Sequence, residues 1–494
     1  MQKNGTIIIS SEDFVKGMGD SPLLGNGLIK GIDIFDEPGV IKMAQGTTTS
    51  SEAYNSIAGQ AGILVADVGD ENGYITTLSE NGWVYHNDAY LAGTFTKGWD
   101  LCVWDNDFVL VSYVNSGSGS IGVISRKTGS AVWHAAKVTS LTTTHNIKLL
   151  KGQDGYVYFT NGRYIGKITA ISETAGTVTV TSTSNALDLT AQVYATTLAE
   201  LGSDLIIGTQ KGINSTAKTD FLYASLFRWD RTSASFRLPI YVNEFGINAM
   251  ASKNNLVYFS AGVWGNIYVT DGTSVQLVKR LPYTSDKGYG ATCDVMYNAL
   301  TFNQRGNLLV GVSTDGTNIT SQMGIYEIQL SQGYPTVLAH MGVNGEIGQN
   351  DAIIFGFVRP VGVTSIRYGT RDSYTSVDRI MVSSSGKVTN GRAEFSSPLY
   401  IVGDRLNRKS YQNLTITLSE PTLQTGDIIS IYYRKNIKGA WTTIVDRVVA
   451  DEYEISYTTK ALIADAEMVQ IKISLTPVGT SSTQNIKLLR LTIS

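Results

Sequence analysis

GYVYFTNG, residues 155–162, and NLVYFSAG, residues 255–262, are nearly the same eight letters written 100 residues apart. Related segments fill the interval and flank it. DLIIGTQKG (204–212) lies midway, NLLVGVSTDG (307–316) and DRIMVSSSG (378–386) follow, and GILVADVGD (62–70) and DFVLVSYV (107–114) precede. Aligned on the first large residue of each, the anchors are Ile63, Phe108, Tyr156, Leu205, Leu256, Leu308 and Ile380. The steps run from 45 to 52 residues, with a last step of 72. A repeat of this length marks a solenoid, a propeller or an array. Each unit is apolar and β-rich with little 3.6-residue periodicity, which excludes helical repeats and fits a four-stranded propeller blade.

Within a unit the strands continue. NLVYFSAG is followed by GNIYVTDG (265–272) and TSVQLVKRLPY (273–283), and DLIIGTQKG by FLYASLFRWD (221–230) and ASFRLPIYV (234–242). The octet reads as one central strand recurring in successive blades, apolar because blades cover both of its faces. Seven anchors predict seven blades, with six or eight compatible with the same spacing. The long last step suggests an insertion around MGVNGEIGQNDAIIFGFVRPVG (341–362).

Beyond residue 405 the pattern changes to period two. NLTITLS (413–419), DIISIYYRK (427–435), MVQIKISLT (468–476) and IKLLRLTIS (486–494) alternate, with Val469, Ile471, Ile473 and Leu475 facing one way. Alternation means one buried and one wet face, so residues 406–494 read as a small β-sandwich. LYIVGDRLNRKS (399–410) is the junction, and the last strand would lie at a sheet edge or under a partner. The sequence thus predicts an all-β chain: an N-terminal arm over 1–45, a β-propeller over 46–405 and a C-terminal β-sandwich over 406–494. VIKMAQG (40–46) is a candidate clasp closing the ring, unless the arm reaches a neighbouring subunit. SEDFVKGMGD (11–20) opens as a short capped helical turn.

The chain has 494 residues, 42% of them hydrophobic, so it can bury a large core. Fifty glycines and 26 tyrosines beside nine prolines favour short strands and tight turns. Charged residues are only 16%, which suits a surface that packs against neighbours. A net charge of −3 gives no basic field for nucleic acid or anionic lipid. The clusters Arg405/Arg408/Lys409 and Arg434/Lys435/Lys438 read as solvated edges or subunit contacts. Two cysteines, Cys102 and Cys293, exclude a disulfide scaffold and a cysteine zinc site. No stretch is long and apolar enough for a membrane span, and MQKNGTIIISSEDF lacks a secretory core, so synthesis in a cytoplasm without a signal peptide is expected.

Candidate chemistry is sparse. GSGSIG (117–122) matches a dinucleotide fingerprint but lies between two strands rather than before a helix, so it reads as a hairpin. DENG (70–73) lacks the remaining ligands of a calcium loop. STDG (313–316) and VTDG (269–272) read as turns. His86, His134, His145 and His340 show no metal-ligand spacing, and Asp36–Glu37 and Asp451–Glu452 have no evident partner for acid–base work. Trp83, Trp99, Trp104, Trp133, Trp229 and Trp264 fall within blades and Trp441 in the terminal module, where a core role competes with sugar binding. The expectation is no catalytic residue, no cofactor and no metal site.

GNGLIKGIDIFDEPGVIKMAQG (25–46) carries Gly31, Asp33, Pro38, Gly39, Val40, Ile41 and Lys42 ahead of the blades, and VQIKISLTPVGTSSTQNIKLLRLTIS (469–494) ends the chain. With these segments the protein resembles virion structural proteins of tailed bacteriophages. That resemblance implies a non-enzymatic component of the tail or tail tip. Other tail proteins, and copies of itself in a ring or tube, would be its partners. A carbohydrate-binding or carbohydrate-degrading propeller that recognises a host surface glycan is the alternative.

Overall fold

The computed structural model describes residues 2–3, 6–14, 17–18, 28–34, 40–49, 63–68, 74–79, 84–86, 89–92, 97–105, 107–115, 117–127, 131–211, 224–281, 295–303, 305–312, 324–330, 337–341, 352–358, 367–372, 377–387, 393–403, 406–419, 428–436, 439–448, 453–476 and 487–494. The chain is a β-propeller of seven four-stranded antiparallel blades joined to a β-sandwich. Blade 1 starts at Ile63–Val68, blade 2 at Lys97–Val103, blade 3 at Leu149–Lys151 and blade 4 at Val193–Leu201. Blades 5, 6 and 7 start at Ile247–Lys253, Leu300–Phe302 and Ala352–Val358. Each of these first strands packs against the first strand of the next blade, and that of blade 7 returns to blade 1, so they line a closed ring.

The repeated octet is the second strand of blades 3 and 5. Its outer letters are conformational: Gly155 and Gly162 have φ of 82° and 63°, and Asn255 and Gly262 have 57° and 65°. Both ends must turn through the left-handed region, where glycine and asparagine are cheapest. Between them Val157, Tyr158 and Phe159 are fully buried, because blades flank the strand on both faces. GSGSIG falls in the hairpin between Phe108–Asn115 and Ser118–Ser125.

Two anchors mark other strands than expected. Ile63 belongs to the first strand of blade 1 and Ile380 to the third of blade 7, Val377–Lys387. The long last step therefore reflects a change of strand. Ala352–Val358, expected inside an insertion, is the innermost strand of blade 7.

The N-terminal segment is built into the fold rather than extended from it. Gln45–Thr49 pairs with Val377–Lys387 and supplies the outermost strand of blade 7, slightly beyond the expected clasp. Lys42–Met43 pairs instead with Ile32–Asp33. Leu28–Lys30 lies between blade 6 and the sandwich, parallel to Val337–Met341 and antiparallel to Ala393–Ser396. One ten-stranded sheet thus runs from blade 6 into the C-terminal module. Thr6–Ile9 pairs with Leu488–Ile493, so the last strand is not an edge; it lies between Thr6–Ile9 and Lys409–Leu418. Cuts at 45/46 and 405/406 cross these sheets. The helical turn Ser11–Phe14 follows, with the Asp13 and Phe14 amides donating to the Ser10 carbonyl.

Ile7, Ile9, Leu414, Ile416, Leu491 and Ile493 from one sheet meet Ile429, Ile431, Ile471 and Ile473 from the other, all fully buried. The same core continues into Leu308, Val310 and Ile328 of blade 6. The second sheet departs from simple alternation: Gln470 and Ser474 on its other face are also fully buried. Ser397 covers it there, accepting from Gln470 Nε2 at 2.8 Å through its carbonyl. Ile9→Ala should lower stability by about 2–5 kcal/mol, the cost of a large-to-small change at a closed core position. Denaturant midpoints measure it; an unchanged midpoint would show that Thr6–Ile9 is not packed in the sandwich.

Candidate functional site

The axis of a propeller is where its blades converge, and here the inner strands share a device invisible in the repeat spacing. A register shift occurs between Gly98 and Asp100, Ala195 and Thr197, Ile247 and Ala249, and Ile354 and Gly356. The extra residues are Trp99, Thr196, Asn248 and Phe355. A bulge re-aims the side chains around it. Thr196 Oγ1 thereby donates to the Ile247 carbonyl of the next blade at 2.6 Å, and Asn248 Nδ2 to the Gly262 carbonyl at 2.6 Å.

In blade 2 the bulge places Asp100 against blade 3. Its Oδ1 accepts from the Leu101 amide at 2.9 Å, and its Oδ2 from the Leu149 amide at 2.8 Å. Lys148 Nζ is 2.9 Å from Oδ2 and also donates to Asn298 Oδ1. Asn298 Nδ2 completes the set by donating to Asp100 Oδ1 at 2.8 Å. Asn298 precedes the first strand of blade 6, and blades 2 and 6 are not neighbours in the ring. The segment 295–299 therefore crosses the axis. Tyr297, in the same segment, lies edge-on to Trp99 with ring centroids 6.2 Å apart. A single carboxylate thus ties three blades together, and each of its oxygens already accepts two donors.

A second polar cluster lies where blades 3 and 4 meet, built from the turns between their first and second strands and from Arg231, which follows the third strand of blade 4. Arg231 is buried, donates to Glu200 Oε1 at 2.6 Å and lies 3.5 Å from Asp154. Glu200 also accepts from the Gln153 amide at 2.7 Å, and Tyr158 donates its hydroxyl to Asp154. In blade 6, Glu327 accepts from Asn303 and Asn307, each at 2.7 Å, and Arg305 bridges toward Asp33 of the N-terminal segment at 3.6 Å. Asp33, singled out in the sequence, thus joins that segment to blade 6. Burial raises the Glu327 carboxyl above its usual range.

Of the other residues weighed in the sequence, His145 stacks on Tyr194 with centroids 4.1 Å apart, and His134 lies on the outer strand of blade 2; burial lowers both imidazoles. Trp99 and Trp229 are buried in blade cores, and Trp133 packs on Tyr113. Trp441 lies under the Arg434 guanidinium, 4.5 Å away, and Arg408 pairs with Glu467 at 3.1 Å. Asp271 of VTDG accepts from the Thr273 and Ser274 amides, as Asp230 does from Thr232 and Ser233, so both are turn caps whose carboxyls are held low by those donors. This Asp-x-Thr-Ser turn recurs in WDRTS (229–233) and TDGTS (270–274), a signal the central-strand alignment passed over. Among the described residues no three of His, Cys, Asp and Glu gather as a metal site would require. Cys293, DENG, STDG, Asp36–Glu37, Asp451–Glu452, Arg405, Lys438 and Trp83, and the side chains of His86 and His340, lie outside the description.

No protein-family model and no curated protein matches the chain. Solved structures do. The RRP9 WD40 repeats are 9% identical, with a TM-score of 0.45, covering 69% of this chain and 98% of that one. The Pan2 WD40 domain of Neurospora crassa is 10% identical, with a TM-score of 0.40, covering 69% and 95%. A luciferin-regenerating enzyme is 11% identical, with a TM-score of 0.37, covering 59% and 92%. At such identities the likeness concerns the fold alone, the all-β propeller already evident in the strand pairing.

Asp100→Ala should cost roughly 3–5 kcal/mol, because it strands a mostly buried Lys148. Asn298→Ala, which removes one neutral donor, should cost about 1–3 kcal/mol. Equal losses in thermal unfolding would contradict the central role of the carboxylate. Burial, reinforced by Asp100, pushes the Cys102 thiol up to about 12 from 9.0. In a Cys293→Ser background, alkylation at pH 8 should run markedly slower folded than unfolded. Equal rates would show Cys102 open to solvent.

Proposed function

We propose that the protein is a non-enzymatic structural component of a tailed-bacteriophage virion, of the tail or tail tip, assembling with copies of itself and with other tail proteins. The observation that carries the non-enzymatic reading is the axial cluster. The usual ligand position of a propeller is crossed here by residues 295–299, and the carboxylate there is spent on Lys148, Asn298 and two amides. Its chemistry is that of a rivet. The location in a virion rests on the sequence resemblance over 25–46 and 469–494.

A rigid ring whose N-terminal segment pairs with both its last blade and its sandwich suits a part that transmits load. The low proportion of charged residues suits large contacts with neighbours. In particles produced by the genome that encodes this chain, mass spectrometry should find it as a stoichiometric component and labelled antibodies should decorate the tail. Binding on a glycan array or depolymerase activity, with the protein absent from particles, would favour the carbohydrate reading and overturn this one.

A further inference from the structure

Six of the seven blades protect their outermost strand. Blade 6 is covered by Leu28–Lys30, and blade 7 ends in the five-residue Gln45–Thr49. In blade 1 that strand is Ala89–Ala92, four residues with a register shift. In blade 2 it is Val132–Leu141, broken by two shifts, with left-handed Ala136 and Ser140 and a charged Lys137. Blade 4 offers only Ile240–Val242, behind Pro239. Blade 5 ends in Lys279–Arg280. Short length, bulges, proline and lysine are the devices by which native edges refuse further strands.

Blade 3 lacks the short length, the proline and the lysine, and its two register shifts leave residues 177–183 of the outer strand continuous: one inserts Thr169 in the neighbouring strand and the other lies beyond Thr183. Its outermost strand is Thr177–Asp188, TVTVTSTSNALD, 12 residues long. Residues 174–187 contain neither a charged residue nor a proline. The strand pairs regularly with Ala170–Thr174 from Thr177 to Thr181 and, among the described residues, has a single neighbour in its sheet. Thr177, Thr179, Thr181, Thr183 and Asn185 are exposed. Val178 is buried against the blade 2 core, with Val180 packed on it, so the strand is held in place. Thr174 and Thr177 close a two-residue turn at left-handed Ala175 and Gly176. By antiparallel alternation, the backbone groups of Val178 and Val180 then point away from the sheet. A β-branched, uncharged, proline-free segment with free outward amides is a template for another strand.

We infer that this edge pairs antiparallel with the same edge of a second copy of the chain, about a twofold axis. The strand is complementary to itself. With the axis at Val180, Thr177 faces Thr183, Thr179 faces Thr181 and Val178 faces Ser182. Threonine pairs across strands are favourable, and no like charges meet. An isologous contact needs such self-complementarity. Glu173 and Asp188 flank the stretch and limit pairing to it. The inference locates the self-association in the reading above, but it does not depend on a virion.

Sedimentation of the whole chain at micromolar concentration, with amide hydrogen exchange at several concentrations, tests it. A mass twice the 53.4 kDa of one chain is expected, with amides of residues 177–183 exchanging more slowly as concentration rises. The double variant Thr179→Lys/Thr181→Lys changes two exposed positions and should sediment as a monomer with the melting temperature of the wild-type monomer. A wild-type monomer throughout overturns the proposal, as does a dimer that survives the double substitution. Protection of 177–183 that appears only when a different protein is added also overturns it, and assigns the edge to that partner. Absence of the chain from particles would defeat the virion reading while leaving a dimer that forms through this edge intact.

Discussion

A strand has two edges, and the pairing of those edges governs this molecule. Seven blades in a ring leave one outer position to fill where the chain closes on itself. Gln45–Thr49 fills it alongside Val377–Lys387, bringing a segment from before the first blade to the rim of the last. The same segment supplies Thr6–Ile9 and Leu28–Lys30 to the two sheets of the sandwich. Backbone hydrogen bonds left open in the dry interior cost more than those made contribute. This explains why so many short N-terminal strands are distributed over four sheets. Propeller and sandwich consequently share a hydrophobic core at blade 6.

Closure by pairing at the rim is complemented by charge at the axis. Neighbouring blades pack face to face through apolar side chains such as Leu110, Val123 and Phe159, and polar ties are added where the inner strands converge. The bulges at Trp99 and Thr196 turn polar groups across the seams, and Asp100 gathers donors from blades 2, 3 and 6. Such a cluster is stabilising only when complete, since a buried charge without partners is heavily penalised. It therefore favours one ring size and one placement of residues 295–299. The polar cluster around Arg231 works likewise between blades 3 and 4.

Much of this was legible in the letters. The octet announced its strand because both faces are buried and both ends need left-handed residues, a demand written as Gly155, Gly162, Asn255 and Gly262. The sandwich strands showed their alternation at Val469, Ile471 and Ile473. Ile63 and Ile380 misled because an apolar run looks alike in the first, second or third strand of a blade, and composition alone does not distinguish them. The role of Thr6–Ile9 was hidden for another reason. Its partner, Leu488–Ile493, lies at the far end of the chain, and no local pattern encodes so distant a pairing. The axial cluster was equally silent, since Asp100, Lys148 and Asn298 share no motif and meet only through ring geometry.

Ring closure by the N-terminal segment is the claim on which the architecture stands, and a covalent link tests it. Thr48 lies opposite Val382, and Thr47 opposite Ser383. Adjacent antiparallel pairs alternate between wide and narrow Cα separations, so one of the two is close enough to bridge. The pairs Thr48→Cys/Val382→Cys and Thr47→Cys/Ser383→Cys, in a background with Cys102→Ser and Cys293→Ser, would be oxidised mildly and mapped by peptide mass spectrometry. The account requires efficient intramolecular linkage in one of them, joining the two ends of the propeller. Free thiols in both folded variants, or bridges only between separate chains, would contradict it.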